Sequence, residues 1–218
     1  MSILKRLHSK PMLIKARDGL FWCADYATDF EVVSDLHEPW FLAIFKPKIG
    51  DVVLDLGAHI GRYSVVAGKL VGESGKVIAI EANPDNFQIL RLNIRVNDLQ
   101  NVVSAINAAA WKEVTTLTLF RDTFSGRHSV YKTTDNHSKI DTVTVDELVR
   151  QYNLPEIDWM KVDIEGAEYA MLLGAKATII SEKIKFMLLE VHTYEILNVI
   201  TQLLSPLYDI NIIKRTQD

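Results

Sequence analysis

Residues 52–64 read VVLDLGAHIGRYS, from Val52 to Ser64. An apolar run carries one acid, Asp55, and then meets two glycines, Gly57 and Gly61, before an amphipathic segment begins. A short, continuously apolar run is the pattern of a parallel strand covered on both faces. A glycine turn that leads from such a strand into a helix marks the first crossover of a doubly wound sheet. Ligands of such sheets bind beyond the carboxyl ends of the strands, where strand order reverses. Gly57 permits a sharp turn and close backbone approach, and Gly61 permits tight packing of the helix on the strand.

Outward from this turn, short apolar runs alternate with helical periodicity. Ile60, Tyr63, Val66 and Leu70 share one helical face. KVIAIE reads as a second strand ending at Glu81, and Asn83 with Pro84 reads as the cap and first position of a helix. Phe87, Leu90 and Ile94 form that helix's apolar stripe, and NVVSAIN is a third strand ending at Asn107. The alternation predicts an α/β fold with a doubly wound, mostly parallel, Rossmann-like sheet and right-handed crossovers. Between Thr115 and Thr144 the character changes. TTLTLF and HSVYKT, joined by RDTFSGR, read as a β-hairpin inserted after the third core strand. The alternation then resumes. VDELVRQY is helical, DWMKVDI a strand, GAEYAMLLGA a helix, IKFMLLEVH a strand, TYEILNVITQLL a helix and YDINIIK a last strand. Residues 1–50 fit this rhythm less well and read as an N-terminal extension or lid. DGLFWCADY resembles a hairpin strand, and DFEVVSDLHEPWFLAIF a helix that closes over the sheet's carboxyl edge.

Asp55 decides between ligands. A pyrophosphate seated on the helix N-terminus would be repelled by an acid two residues ahead of the first glycine. S-adenosylmethionine carries a sulfonium and an ammonium and no phosphate, so Asp55 can attract its amino-acid end. Glu81 ends the second strand where an acid can accept both ribose hydroxyl protons. Asn107 ends the third strand and offers an amide at the height of an adenine edge. Singly, a glycine pair, a strand-end acid and a turn-forming asparagine are ordinary. Three at matching positions form a cofactor pattern. With their neighbours Ala58, His59, Tyr63, Ser64, Ala82, Asn83 and Ala108, and with Asp163 from the fourth strand, they make up the expected cofactor contacts.

The reaction centre is expected at the next two strand ends. KVDIEGAE places Asp163 at the end of the fourth strand, with Glu165 just beyond and Gly166 allowing a close turn. LLEVH places Glu190 and His192 on one face at the end of the fifth. Methyl transfer to a hydroxyl needs alignment and a base near the methyl group. His192 has a suitable intrinsic pKa, and Glu190 or Asp163 could orient it. Glu165 reads equally well as the cap of a helix beginning at Gly166. Lys161, on the same strand, is placed to pair with one of these acids. Hard oxygen ligands with one imidazole also suit a divalent ion. A catalytic acid cluster explains the same residues, and no metal is expected.

DLGAHIGRYS, IEANPDNFQILRLNI, TVTVDELV, IDWMKVDIEGAEYAMLLGA and LLEVH occur in the order seen in the FkbM family of S-adenosylmethionine-dependent methyltransferases. The chain resembles that family from about Asp18 to His192. The resemblance implies a class I methyltransferase domain over residues 51–218. It implies O-methylation of a hydroxyl on a small molecule, sugar or glycolipid, and a cofactor or lid contact at Glu38, beside Trp40. His59 stands where the family usually has asparagine, which could add charge near the cofactor carboxylate. The C-terminal region is short for the antiparallel seventh strand of such folds, which is then lost or supplied by a partner chain, as in a homo-oligomer.

Composition narrows the alternatives. The 218 residues are 48% hydrophobic and 24% charged, with a net charge of −4, so nothing attracts the chain to nucleic acid or anionic membrane. One cysteine, Cys23, excludes an internal disulfide and a CxxC metal site. The basic, broken N-terminal stretch is unlike a signal peptide, and no apolar segment is long enough to span a bilayer, which reads as a soluble cytoplasmic protein. A nicotinamide-dependent dehydrogenase is disfavoured by Asp55 and by the lack of any Tyr-xxx-Lys pair. A base-modifying nucleic-acid methyltransferase is disfavoured because DIEG occupies the slot of its Pro-Pro motif. A non-catalytic S-adenosylmethionine-binding module is the third alternative.

Overall fold

The computed structural model describes residues 11–25, 28–34, 37, 39–120, 130 and 136–213. Met12–Lys15 (β1) and Leu20–Cys23 (β2) pair antiparallel, so the expected N-terminal hairpin forms. The single helix expected over residues 29–45 is instead two short helices, Thr28–Val33 (α1) and Pro39–Ile44 (α2). Pro39 cannot continue a preceding helix but suits a first helical position, which explains the break.

Val52–Leu56 (β3) is the centre of a five-stranded parallel sheet. Lys76–Glu81 (β4) and then Val103–Asn107 (β5) lie to one side, Ile157–Val162 (β9) and then Ile184–Leu189 (β10) to the other. Strand order therefore reverses at the carboxyl end of β3, where the Gly57 turn sits. Period-two alternation splits β3 between two cores. Val53 packs with Arg62–Val71 (α3) and Pro84–Val96 (α4). Leu54 and Leu56 pack against Val145–Gln151 (α5), Glu168–Leu173 (α6), Lys176–Ile180 (α7) and Tyr194–Leu204 (α8). Asn83 caps α4 as its sequence predicts, its side chain accepting from the Asp85 N–H at 2.8 Å.

The buried stripe of α3 differs from the predicted one. Ser64, Ala67, Gly68 and Val71 are buried, Val66 is half-buried and Leu70 is exposed. Ser64 bonds to Asp55 beneath the helix, and Gly68 sits where a Cβ would lie 2.8 Å from Val103. These two contacts set the rotation of the helix.

The insertion is a hairpin, but with a different return strand. Thr116–Phe120 (β7) pairs antiparallel with His137–Val143 (β8), and Ala109–Ala110 (β6) pairs parallel with β8. RDTFSGR and all of HSVYKT except Val130 lie outside the described residues, including Phe124, His128 and Tyr131. YDINIIK is not a strand over residues 208–213. Its apolar alternation suits one, but it lies on no strand edge among the described residues, and Ile212 remains 67% exposed. The described sheet ends at β10. No helix of the described residues is long and apolar enough to cross a membrane.

The N-terminal hairpin joins the first core, contributing Phe21 and Cys23. Burial pushes the Cys23 thiol up to about 12, so it stays protonated. Asn93 of α4 and Asn97, the cap at its C-terminal end, take the place of a further strand for β2. Asn93 accepts from the Trp22 N–H at 2.6 Å and donates to the Trp22 and Ile60 carbonyls at 3.2 and 2.8 Å. Asn97 accepts from the Leu20 N–H at 3.1 Å and donates to its carbonyl at 2.7 Å. Asn93 is fully buried, so Asn93→Ala orphans several backbone groups. The expected cost is about 2–4 kcal/mol in urea unfolding, with faster amide exchange confined to β1 and β2.

Candidate active site

A cavity of about 460 Å³ opens at the carboxyl edge of the sheet. Gly57, Ala58, His59 and Tyr63 line it from the turn and α3, Glu81 and Ala82 from the end of β4, and Ala108 from beyond β5. Asp163, Glu165, Glu190 and His192 also line it, from the neighbouring strand ends, so the four expected reaction-centre residues share one cavity with the glycine turn. Asp55, Gly61, Ser64, Asn83 and Asn107 are not on its wall. Glu38 lies outside the described residues.

Asp55 is fully buried beneath the turn. Its Oδ2 accepts from the Ser64 hydroxyl at 2.5 Å, and its Oδ1 lies 3.5 Å from Lys161 Nζ. Lys161, itself buried, donates to the Gly57 carbonyl at 2.8 Å and lies 3.7 Å from Asp163 Oδ2. Gly57 has φ +80°, and a Cβ there would fall 1.7 Å from the Asp163 carbonyl oxygen. The close approach at Gly57 is thus with the neighbouring strand end. Gly61, at φ +93°, makes room for Leu90 of α4 rather than for the strand. Asn107 donates to the Glu81 and Ala82 carbonyls at 2.8 and 3.1 Å, bracing that strand end from behind.

Glu81 accepts the His59 and Asn83 N–H groups, one on each oxygen, both at 2.8 Å. Burial pushes its carboxyl up to about 7, against those two donors. His59 holds a left-handed backbone, φ +52°, and its Nε2 lies 3.6 Å from Asp29 Oδ1 at the start of α1. Burial lowers its pKa, opposed by Asp29. Arg62, also buried, donates to the Val32 and Ser34 carbonyls and pairs with Asp18 at 3.2 Å. Together these contacts bring Thr28, Glu31, Val32 and His37 onto the cavity wall. Nothing in the sequence marked those four, because their place depends on where Arg62 and His59 hold the N-terminal segment.

At those neighbouring strand ends, His192 Nε2 lies 3.8 Å from Asp163 Oδ1 and 3.6 Å from Glu165 Oε2. Its Nδ1 lies 2.8 Å from Oε1 of Glu168, a buried acid the sequence reading did not single out. Glu165 is not a helix cap: α6 begins at Glu168, and Glu165 takes φ +53° in the turn before it. Asp163, Glu165 and His192 offer three ligand-type atoms within 4.8 Å of one another. Burial works against the His192 imidazolium, but Glu168, Glu165 and Asp163 outweigh it and raise the pKa to about 9.

These elements belong to a known family. The model of the Methyltransferase FkbM domain matches residues 55–208. The chain belongs to the FkbM methyltransferase family. It is 28% identical over 169 residues to the hexuronic acid methyltransferase AglP of Haloferax volcanii, spanning 75% of this chain and 65% of that protein. The FkbM methyltransferase structure from Methylobacillus flagellatus superposes with a TM-score of 0.55 at 18% identity, covering 78% of this chain and 40% of that one. The precorrin-6y C5,15-methyltransferase structure from Geobacter metallireducens superposes with a TM-score of 0.51 at 16% identity, covering 84% and 76%. The chain therefore spans less than two thirds of the first relatives it matches, and at these identities the structures establish the shared class I α/β fold.

Two outcomes are expected from this geometry. Gly57→Ala combines left-handed strain with a backbone clash and should cost about 3 kcal/mol or more in urea unfolding. His192 has a folded pKa above its unfolded value. Its pairing therefore stabilises the fold fully below about 6.5, and the contribution is lost as pH rises through about 9. The melting temperature should fall across that window in the wild type and stay flatter in His192→Ala.

Proposed function

We propose that this protein transfers the methyl group of S-adenosylmethionine to a hydroxyl of a sugar or glycan. One observation carries the reading: a single cavity holds the glycine turn and Glu81 together with Asp163, Glu165, Glu190 and His192. The donor set fits the cofactor. Glu81, Asp163, Glu165 and Glu190 on the wall, with Asp55 beneath it, favour a ligand bearing sulfonium and ammonium groups and no phosphate. Bound S-adenosylmethionine supplies an electrophilic methyl group on a good leaving group. Glu81 would accept the ribose hydroxyl protons, and the Gly57–His59 turn would receive the amino-acid end. α1 and His37, on the cavity wall, act as a lid that limits water in the cleft.

His192 takes the acceptor's proton at Nε2 as the oxygen attacks. In the unliganded protein its neighbouring carboxylates keep that proton on. With a positive charge in the same cavity, His192 would lose that proton more readily and reach its neutral, basic form. The sugar acceptor is favoured by the likeness to the hexuronic acid methyltransferase AglP, with a small-molecule hydroxyl as the wider class.

Calorimetric titration with S-adenosylmethionine and, separately, with NADH tests the cofactor; binding of NADH alone would overturn the reading. Affinity for S-adenosylmethionine should rise between pH 6 and 8, because Glu81 accepts the ribose hydroxyl protons best when ionised and titrates near 7. Glu81→Gln should bind about tenfold or more weaker and lose that rise. His192→Ala should keep cofactor affinity while turnover of a methylated sugar acceptor drops about 10²–10⁴-fold. Unchanged turnover would remove His192 as the base.

A further inference from the structure

We propose that Glu168 is a positioning residue of the reaction centre, acting through His192 to present Nε2 to the acceptor. The inference rests on the proposed function for its chemistry but on the geometry alone for the Glu168–His192 link. Glu168 is the first residue of α6, with 0% exposure. A carboxylate in that position is costly unless its partners compensate. One oxygen, Oε1, serves both partners: it accepts the Gly166 N–H at 3.0 Å and lies 2.8 Å from His192 Nδ1. The other, Oε2, is buried with no hydrogen-bond partner among the described residues. Satisfying the turn ahead of α6 does not require burying an acid, because acids at helix N-termini do that while solvated. The burial is explained if the imidazole is the partner that matters.

A carboxylate at Nδ1 has two effects. It accepts the Nδ1 proton, so the neutral ring carries its lone pair on Nε2, and it stops rotation of the ring. Nε2 then faces Asp163 and Glu165, on the cavity side. Among the described residues, the acids that act on the ring come from two places, Glu168 from α6 and Asp163 with Glu165 from the turn after β9. Glu190, just past β10, lines the same cavity. Lys161 stands behind Asp163 at 3.7 Å. Glu168 alone is both fully buried and at hydrogen-bond distance, so it governs ring orientation, whereas the others add field.

The test is a nitrogen-15 NMR titration of the His192 ring in the full chain, for the wild type and for Glu168→Gln, without cofactor or acceptor. The amide keeps size and a hydrogen-bond acceptor but removes the charge. The expected result is the Nδ1–H tautomer above the wild-type midpoint, and a midpoint lowered by about one unit or more in the variant. With cofactor and acceptor, the variant should lose about tenfold or more in kcat with little change in KM, and the acid limb of its pH profile, set by deprotonation of the His192 base, should move down with the midpoint. An Nε2–H tautomer in the wild type, which needs no variant to fold, or an unmoved midpoint overturns the proposal. Failure of the wild type to bind S-adenosylmethionine while the midpoint still moves would sink the methyl-transfer reading and leave the Glu168–His192 link standing.

Discussion

The site depends on a buried ion pair under the glycine turn. Asp55 and Lys161 face each other from adjacent strands, both on the α3–α4 side of the sheet. At 3.5 Å the contact is an ion pair rather than a hydrogen bond. Lys161 gains its hydrogen bond from the Gly57 carbonyl, and Asp55 gains its own from Ser64. Four elements are thereby tied: β3, β9, the turn and α3. A buried charge left alone costs about 3–5 kcal/mol. The pair therefore holds the reversal point of the sheet in one register, and the Gly57 carbonyl cannot swing into the cavity.

A second set of constraints attaches the N-terminal segment. Asn93 and Asn97 hold β2 through side-chain amides, where a neighbouring strand would have used its backbone. Arg62 reaches the carbonyls after α1, and Asp29 meets His59. His59 stands in the glycine turn itself, so the contact that holds α1 also borders the cavity. The chain thus couples the placement of its N-terminal helices to the geometry of the turn, through one imidazole and one guanidinium.

The cavity carries groups of opposite tendency. Burial drives Glu81 toward its neutral form, whereas three carboxylates hold His192 in its charged form. A ligand that donates hydroxyl protons to Glu81 and brings positive charge toward His192 reverses both preferences.

Much of this was legible in the residues. The apolar runs of the five core strands, Asn83 with Pro84, and the Gly57 turn are local signals, and each led to the element found, because strand burial, helix capping and glycine turns act over a few positions. Asp163, Glu165, Glu190 and His192 were recognisable as strand-end polar groups and share one cavity. What sequence could not decide was the contact that makes each group act. Asp55 reads as a ligand-facing acid and lies under the turn. Leu70 reads as core and is exposed, because Ser64 and Gly68 turn α3 the other way. YDINIIK alternates like a strand, but a strand also needs an edge to pair with. Glu168 looks like an ordinary acid at the start of a helix, and only the convergence of α6 with the end of β10 sets it against His192. Sequence by itself determined the order of elements and the sheet's reversal point, since those follow from short-range periodicity. Tertiary structure alone decided which charges meet, since Asp55 with Lys161 and Glu168 with His192 are distant in the chain and adjacent only when the sheet closes.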